Sequence, residues 1–385
     1  MTPETRAALE RCIAFDTVSR NSNLGMIEWM GDRLRALGIP VTLVRDTSGT
    51  KANLWATIGP EVDGGIILSG HTDVVPVDGQ AWTTDPFTAT ERDGKIFGRG
   101  SCDMKGFIAA CLALAPAWAK LPLVRPIHFA FSYDEEVGCV GVRSLIDLLA
   151  TLPFRPAGCV VGEPTEMQMV LGHKGKRAWC CTVEGRAAHS SAAPSGINAI
   201  EGAATLISHI ADLATELRAN DGPDAGFDIP FSTMLTTMID GGIAMNTVPD
   251  TCRFIFECRH LPGTDPEALF GRIRDFAETR VTPTLKAGNA VGRVRFEEVL
   301  SYPGLDAPQE GAFTQRVSRL TCASVPPKVA FGTEAGLFQA AGIQTIVCGP
   351  GSIAQAHRPD EFCTIDQLTA CEDFLNQLVA GQVLP

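Results

Sequence analysis

The sequence predicts an α/β protein: a catalytic domain with a mostly parallel sheet, plus an inserted ferredoxin-like α+β domain. Three observations predict it. Helical and strand-like periodicities alternate from residue 4 to residue 161, which implies parallel strands covered by helices on both faces. Near residue 177 the rhythm changes to β-α-β-β-α-β, the split-βαβ order. After Tyr302-Pro303-Gly304 the first rhythm resumes.

Taken in order, residues 4–15 and 23–37 repeat apolar side chains at helical spacing. Val41–Val44 and Asn53–Ile58 read as strands, and Gly65–Ser69 is a short apolar run that ends in a polar loop. A helix is expected over 103–119, a strand over Ile127–Phe131, a helix near 140–150 and a strand over Gly158–Val161. The insertion supplies strands at Ala178–Val183, Ser232–Ile239, Cys252–Glu257 and Val294–Glu297, with helices over Asn198–Leu217 and Pro266–Thr279. Ile343–Cys348 is the last strand and 365–379 the closing helix. Residues 1–176 and 299–385 therefore form one domain, and 177–298 the inserted one.

A length of 385 residues fits two or three domains at ~150 residues each. That is enough to bury a core without disulfide or metal support. The chain is 45% hydrophobic and 20% charged, which excludes disordered, collagen-like and coiled-coil classes. With 32 Lys and Arg against 44 Asp and Glu, the net charge is −12. No basic face for nucleic acid or an anionic membrane is expected. The opening Met1-Thr2-Pro3-Glu4-Thr5-Arg6 has no signal-peptide hydrophobic region. The longest clean apolar run, Phe107 to Ala119, falls short of the ~20 residues that span a bilayer. The 13 cysteines are odd in number and contain no C-x-x-C pair, so they read as reduced, mostly buried thiols. A cytoplasmic protein is expected.

In open α/β sheets, ligands collect beyond the carboxyl ends of the strands, and five polar motifs fall there. In Ser69-Gly70-His71-Thr72-Asp73, an imidazole and a carboxylate two apart share one side of an extended segment. His71 can ligate a metal while Asp73 orients its ring. Gly98-Arg99-Gly100-Ser101-Cys102-Asp103-Met104-Lys105-Gly106 lacks dinucleotide-loop spacing. Taken alone, it makes Asp103 the N-cap of the following helix. Ser132-Tyr133-Asp134-Glu135-Glu136 stacks three carboxylates after an apolar strand, which calls for water or cations nearby. Gly162-Glu163-Pro164 follows another strand, and Gly349-Pro350-Gly351-Ser352 leads into Gln355-Ala356-His357-Arg358-Pro359-Asp360-Glu361.

Each motif alone is more often ordinary than catalytic. Together they place two His and three or four carboxylates at one sheet edge. Nitrogen and oxygen ligands without thiolates suit a catalytic zinc, manganese or cobalt site better than a structural zinc. An Asp between two ions ~3.5–4 Å apart would make a co-catalytic pair.

The segments SGHTDVVP, GRGSCDMKG, DEE, GEP and QAHRPDE resemble the co-catalytic zinc amidohydrolase and aminopeptidase family. Its members include acetylornithine deacetylases, succinyl-diaminopimelate desuccinylases and the aminoacylase/carboxypeptidase group. The motifs span residues 69 to 361 in the family's order. The resemblance implies that His71 and Glu163 hold one metal and Glu136 with His357 the other, while Asp103 bridges the two. It makes Glu135 the general base and Asp73 the carboxylate behind His71, and it overrides the capping reading of Asp103. It implies two divalent ions, most simply zinc, with cobalt or manganese as alternatives.

The inserted domain resembles the family's lid, which also mediates dimerisation, so a homodimer is expected. In Gly185-Arg186-Ala187-Ala188-His189-Ser190, the resemblance makes His189 a donor to the substrate carbonyl, brought into place by lid closure. Asn246 and Arg259 resemble substrate-binding positions. The Gly332-Thr333-Glu334-Ala335 segment resembles the acetylornithine deacetylase branch most, and an acidic Glu334 would suit a cationic ornithine side chain. The implied reaction is hydrolysis of N2-acetyl-L-ornithine to L-ornithine and acetate, a step of arginine biosynthesis. Another N-acyl amino acid or dipeptide, as for a desuccinylase or aminoacylase, is the alternative substrate. Two further rivals are a thiol hydrolase using Cys102 or Cys139 and a non-enzymatic metal-dependent binding protein. His128 is expected within a strand, and His173, His209 and His260 as structural or surface residues.

Overall fold

The computed structural model describes residues 1–286, 292–321 and 328–383. The chain divides into two compact units. The first comprises Met1–Gly172, Leu305–Lys328 and Thr333–Pro385, and the second His173–Gly304 with Val329–Gly332.

In the first unit, six strands form one mixed sheet in the order Val41–Arg45, Ala52–Ile58, Ile127–Ser132, Ile66–His71, Gly158–Val161, Thr345–Val347. The three pairings nearest the Thr345–Val347 edge are parallel, and the two at the Val41–Arg45 edge are antiparallel. The strands from Ala52 onward in this sheet are buried along their whole length, as two-sided coverage requires. Parallel pairing brings His71, Ser132, Val161 and Val347 to the same edge, which is where the polar motifs begin.

The helix Lys105–Trp118 covers this sheet and is buried nearly all round, which explains its unbroken apolar run. Its Phe107 ring lies against the backbone of Gly162, where a Cβ would stand 2.0 Å away. The adjoining Glu163 is thereby fixed next to the helix start. Thr2 caps the helix Pro3–Ile13 by accepting from the amide of Thr5, and Thr364 caps Ile365–Ala380 through the amide of Gln367.

The second unit is a four-stranded antiparallel sheet ordered Thr233–Gly241, Thr251–His260, Gly175–Glu184, Arg293–Tyr302. Its helices, Ala199–Asn220 and Pro266–Phe276, share a core with the sheet that includes Trp179, Val183, Leu206, Ile210, Leu213, Phe254, Phe256 and Ile273. This is the ferredoxin-like order. Asn198 and Asp265 cap the two helices through backbone amides of the first turn.

Several bounds differ from the expected ones. The strand expected to stop at Ser69 continues to His71, so His71 stands on the sheet rather than in a loop. The helix expected from residue 103 begins at Lys105. A small antiparallel sheet of Thr90–Arg92, Lys95–Phe97 and Phe362–Thr364 was not expected, because three-residue strands are too short to show a period. Among the described residues, 12 cysteines are free and buried. Among them too, no helix is long and apolar enough to cross a membrane.

Candidate metal centre

His71 ends its strand buried, with Nδ1 2.9 Å from the carbonyl oxygen of Asp73. That contact makes Nδ1 the protonated nitrogen and leaves Nε2 as a lone-pair donor. Nε2 lies 3.0 Å from Asp103 Oδ1 and 3.6 Å from Glu163 Oε1. The other oxygen of Asp103, Oδ2, is 3.2 Å from His357 Nε2. That same nitrogen is 3.2 Å from Glu136 Oε1 and 3.1 Å from Oε2. Asp103 thus spans the two imidazoles with one oxygen each. Its capping reading fails: Met104, not Asp103, precedes the helix, and no side chain caps it.

Two overlapping sets offer ligand atoms all within 4.8 Å of one another: His71, Glu135 and Glu163, and His71, Asp103 and Glu136. His357 joins the second through Asp103 and Glu136. All five residues expected as ligands, and Glu135 beside them, therefore converge.

The charge balance points the same way. Despite burial, Glu163, Asp103 and Asp73 raise His71 well above the ordinary imidazole range. Hydrogen bonds donated to Asp103 and Glu136 push His357 up to about 10. Burial and the charge of Asp103 push Glu136 up to about 7. Burial, joined by Glu136 and Asp73, lifts Glu135 well above the carboxylate range, and burial with Asp103 does the same for Glu163. Asp103 is instead held down, since its bonds to His357 and His71 outweigh burial, and Asp73 is lowered likewise beside His71. Four carboxylates face two imidazoles in a buried space, so protons crowd where cations would otherwise sit. The donor set fits two divalent ions of the zinc, cobalt or manganese type.

Asp73 does more than sit behind His71. Its Oδ1 lies 3.5 Å from His71 Nδ1, while Oδ1 accepts from the amide of Glu135 (3.1 Å) and Oδ2 from the amide of Glu136 (3.3 Å). Ser19 Oγ donates to Oδ2 as well. One buried carboxylate therefore fixes the backbone that carries Glu135 and Glu136. Nearby, Lys51 pairs with Asp134, whose φ of 54° is left-handed.

Glu334 is only 1% exposed, and its carboxylate accepts from Ser69 Oγ and Ser132 Oγ, so it ties two strand ends together. The thiol alternative is also weakened. Burial and the Glu361 charge push Cys102 far up, and burial with the Glu135 charge does so for Cys139, which is opposite to a reactive thiolate.

His189, Asn246 and Arg259 lie in the second unit. His189 Nδ1 accepts from the amide of Ser191, leaving Nε2 as the donor nitrogen of the neutral ring. His189 pairs with Thr247 across a two-residue ladder, and the amide of Ser190 donates to the carbonyl of Asn246, so His189 and Asn246 are neighbours. Arg259 is paired with Glu257 at 3.1 Å. Glu361, the last residue of the QAHRPDE segment, organises the Asp103 loop. No spacing signal announces that, because its partners lie some 260 residues earlier.

The chain matches the model of peptidase family M20/M25/M40 over residues 67–381. It belongs to that family. M20 membership makes it a metal-dependent hydrolase. It is 34% identical over 369 residues to the acetylornithine deacetylase of Proteus mirabilis (strain HI4320), covering 95% of this chain and 92% of that protein. It is likewise 34% identical over 383 residues to the acetylornithine deacetylase of Myxococcus xanthus, covering 98% and 97%. Among solved M20 structures, a metallo-carboxypeptidase from Sulfolobus solfataricus shares the fold, with TM-score 0.78, 18% identity and 100% of both chains covered. A dinuclear metal binding peptidase from Bacillus subtilis does so with TM-score 0.68, 15% identity, and 97% and 96% covered.

Proposed function

We propose that the protein hydrolyses N2-acetyl-L-ornithine to L-ornithine and acetate. The observation that carries this is the 34% identity, nearly end to end, with acetylornithine deacetylases of two bacteria, supported by a cluster of side chains that could hold metal ions.

His71, Asp103 and Glu163 would hold one divalent ion, and Asp103, Glu136 and His357 the other. Bound there, the ions would lower the pKa of a water and polarise the acyl carbonyl. Glu135, its amide fixed by Asp73 Oδ1, takes the proton of the attacking water and passes it to the leaving amine. His189, its Nε2 free to donate, stabilises the developing oxyanion; single donors of this kind are worth ~3–4 kcal/mol. Asn246 and Arg259 bind the substrate, and the second unit serves as the lid. Its edge strand Thr233–Gly241 leaves Leu235, Met238 and Ile239 exposed, with Ile243 and Met245 just beyond, which supports a homodimer through this face.

The substrate is tested by loading the protein with zinc or cobalt and measuring acetate release from a panel of acetylated amino acids. Acetylornithine should give the highest kcat/KM. A higher value for acetylmethionine or for a dipeptide would replace the proposed substrate, and the buried Glu334 makes that comparison the decisive one.

A further inference from the structure

We infer that Gln80, with the buried Arg99–Glu361 pair, is a positioning clasp that sets the affinity for the ion shared by Asp103 and His357. The inference rests on the two-ion reading of the cluster and adds residues that touch neither ion nor substrate.

Glu361 sits four residues past His357 and is 1% exposed. Its Oε1 accepts from the amides of Cys102 (2.9 Å) and Asp103 (3.1 Å), and its Oε2 from the amide of Gly100 (3.0 Å). The backbone that aims Asp103 is thus wrapped around one carboxylate. Arg99 Nη1 neutralises that carboxylate at 2.7 Å, with both side chains 1% exposed. The same guanidinium donates through Nη1 to the carbonyl of Arg358 (3.2 Å) and through Nη2 to Gln80 Oε1 (2.5 Å), and its face lies 5.0 Å from the Trp82 ring.

Gln80 closes the loop. Its Oε1 also accepts from Trp82 Nε1 (3.1 Å), and its Nε2 donates to the carbonyl oxygen of His357 (2.9 Å). His357 needs such a hold, because its φ of 64° is a left-handed conformation that a residue with a Cβ leaves readily. The loops of Asp103 and His357 are therefore joined by one hydrogen-bonded chain, Glu361–Arg99–Gln80, behind the two side chains.

Gln80→Glu is the discriminating variant. It keeps an acceptor for Arg99 and Trp82, puts an oxygen in place of the donor to His357 and adds a negative charge beside Arg99. Gln80→Ala removes acceptor and donor, and neither empties a buried charge. Chelator-competition titration of the full-length apoprotein with zinc gives two dissociation constants, and melting of the apoprotein reports the fold. Both variants should weaken one of the two binding steps about 10- to 100-fold, as outer-shell losses do. The other step should stay within about twofold and the apoprotein melting unchanged. Two unchanged steps, two equally weakened steps, or fewer than two ions bound by the wild type would each overturn the clasp. Wild-type protein that binds two ions yet releases no acetate from acetylornithine would overturn the substrate proposal alone.

Discussion

At the scale of single residues, Glu135 and Glu136 show how backbone position sends two adjacent carboxylates to different neighbours. Both amides are held by Asp73, yet Glu136 meets His357 while Glu135 stands with His71 and Glu163. Burial and the neighbouring charges raise the proton affinity of Glu135, which is what a base working near neutrality requires. Glu135→Gln should lower kcat by about 10²–10⁴-fold while two equivalents of metal remain bound, read by steady-state kinetics beside metal analysis of the same sample. Loss of an ion together with activity would make Glu135 a ligand instead. Asp103 and His357 lie in loops and were tied to the cluster by the family resemblance, while His71, Glu136 and Glu163 were legible because each ends or follows an apolar strand of one sheet. The role of Glu334 was not, since only the fold shows that Ser69 and Ser132 consume its oxygens. Asp103 misled for a related reason: Asp before a helical run fits a cap, but the helix starts one residue too late for it.

At the scale of elements, the strands most plainly written in the sequence are those buried on both faces, such as Gly158–Val161, whose expected and observed bounds coincide. The strands of the insertion run longer than their apolar cores. Arg293–Tyr302 extends past Val294–Glu297 on both sides because ladder pairing with Gly175–Glu184 continues through a register shift between Glu298 and Leu300, which breaks the alternation a period would show. The opposite edge of that sheet, Thr233–Gly241, pairs on one side only among the described residues and exposes Met238 and Ile239 at 64% and 59%. An open apolar edge of this kind invites a second copy. Met238→Glu combined with Ile239→Lys should convert a dimer to a monomer in sedimentation velocity without lowering the melting temperature. A wild-type protein that sediments as a monomer at micromolar concentration would remove the dimer proposal.

At the scale of the whole molecule, buried neutral histidines couple stability to acid. His128 is stacked between Trp55 and Phe154, with ring centroids 4.8 and 5.1 Å away, and burial lowers its pKa from 6.5 to about 3. His173, in the other unit, is lowered to about 4, again chiefly by burial. Above pH 6.5 both folded and unfolded chains hold His128 neutral, so it adds no pH dependence there. Below 6.5 the unfolded chain takes up a proton that the folded one refuses, and stability falls by ~1.4 kcal/mol per pH unit until the folded pKa is reached. Between pH 6.5 and pH 5, His128 should therefore cost the unit that contains it about 2 kcal/mol. His128→Phe keeps an aromatic ring in the stack and leaves Thr57 Oγ1 without its 3.0 Å partner, a loss that does not change with pH. Urea unfolding of the apoproteins at pH 7 and pH 5 separates the two effects. The variant should start less stable and lose less on acidification, because the metal cluster titrates alike in both proteins and cancels in the comparison. Equal losses in the two proteins would mean that the folded chain admits a proton at His128, and that the aromatic stack does not exclude it.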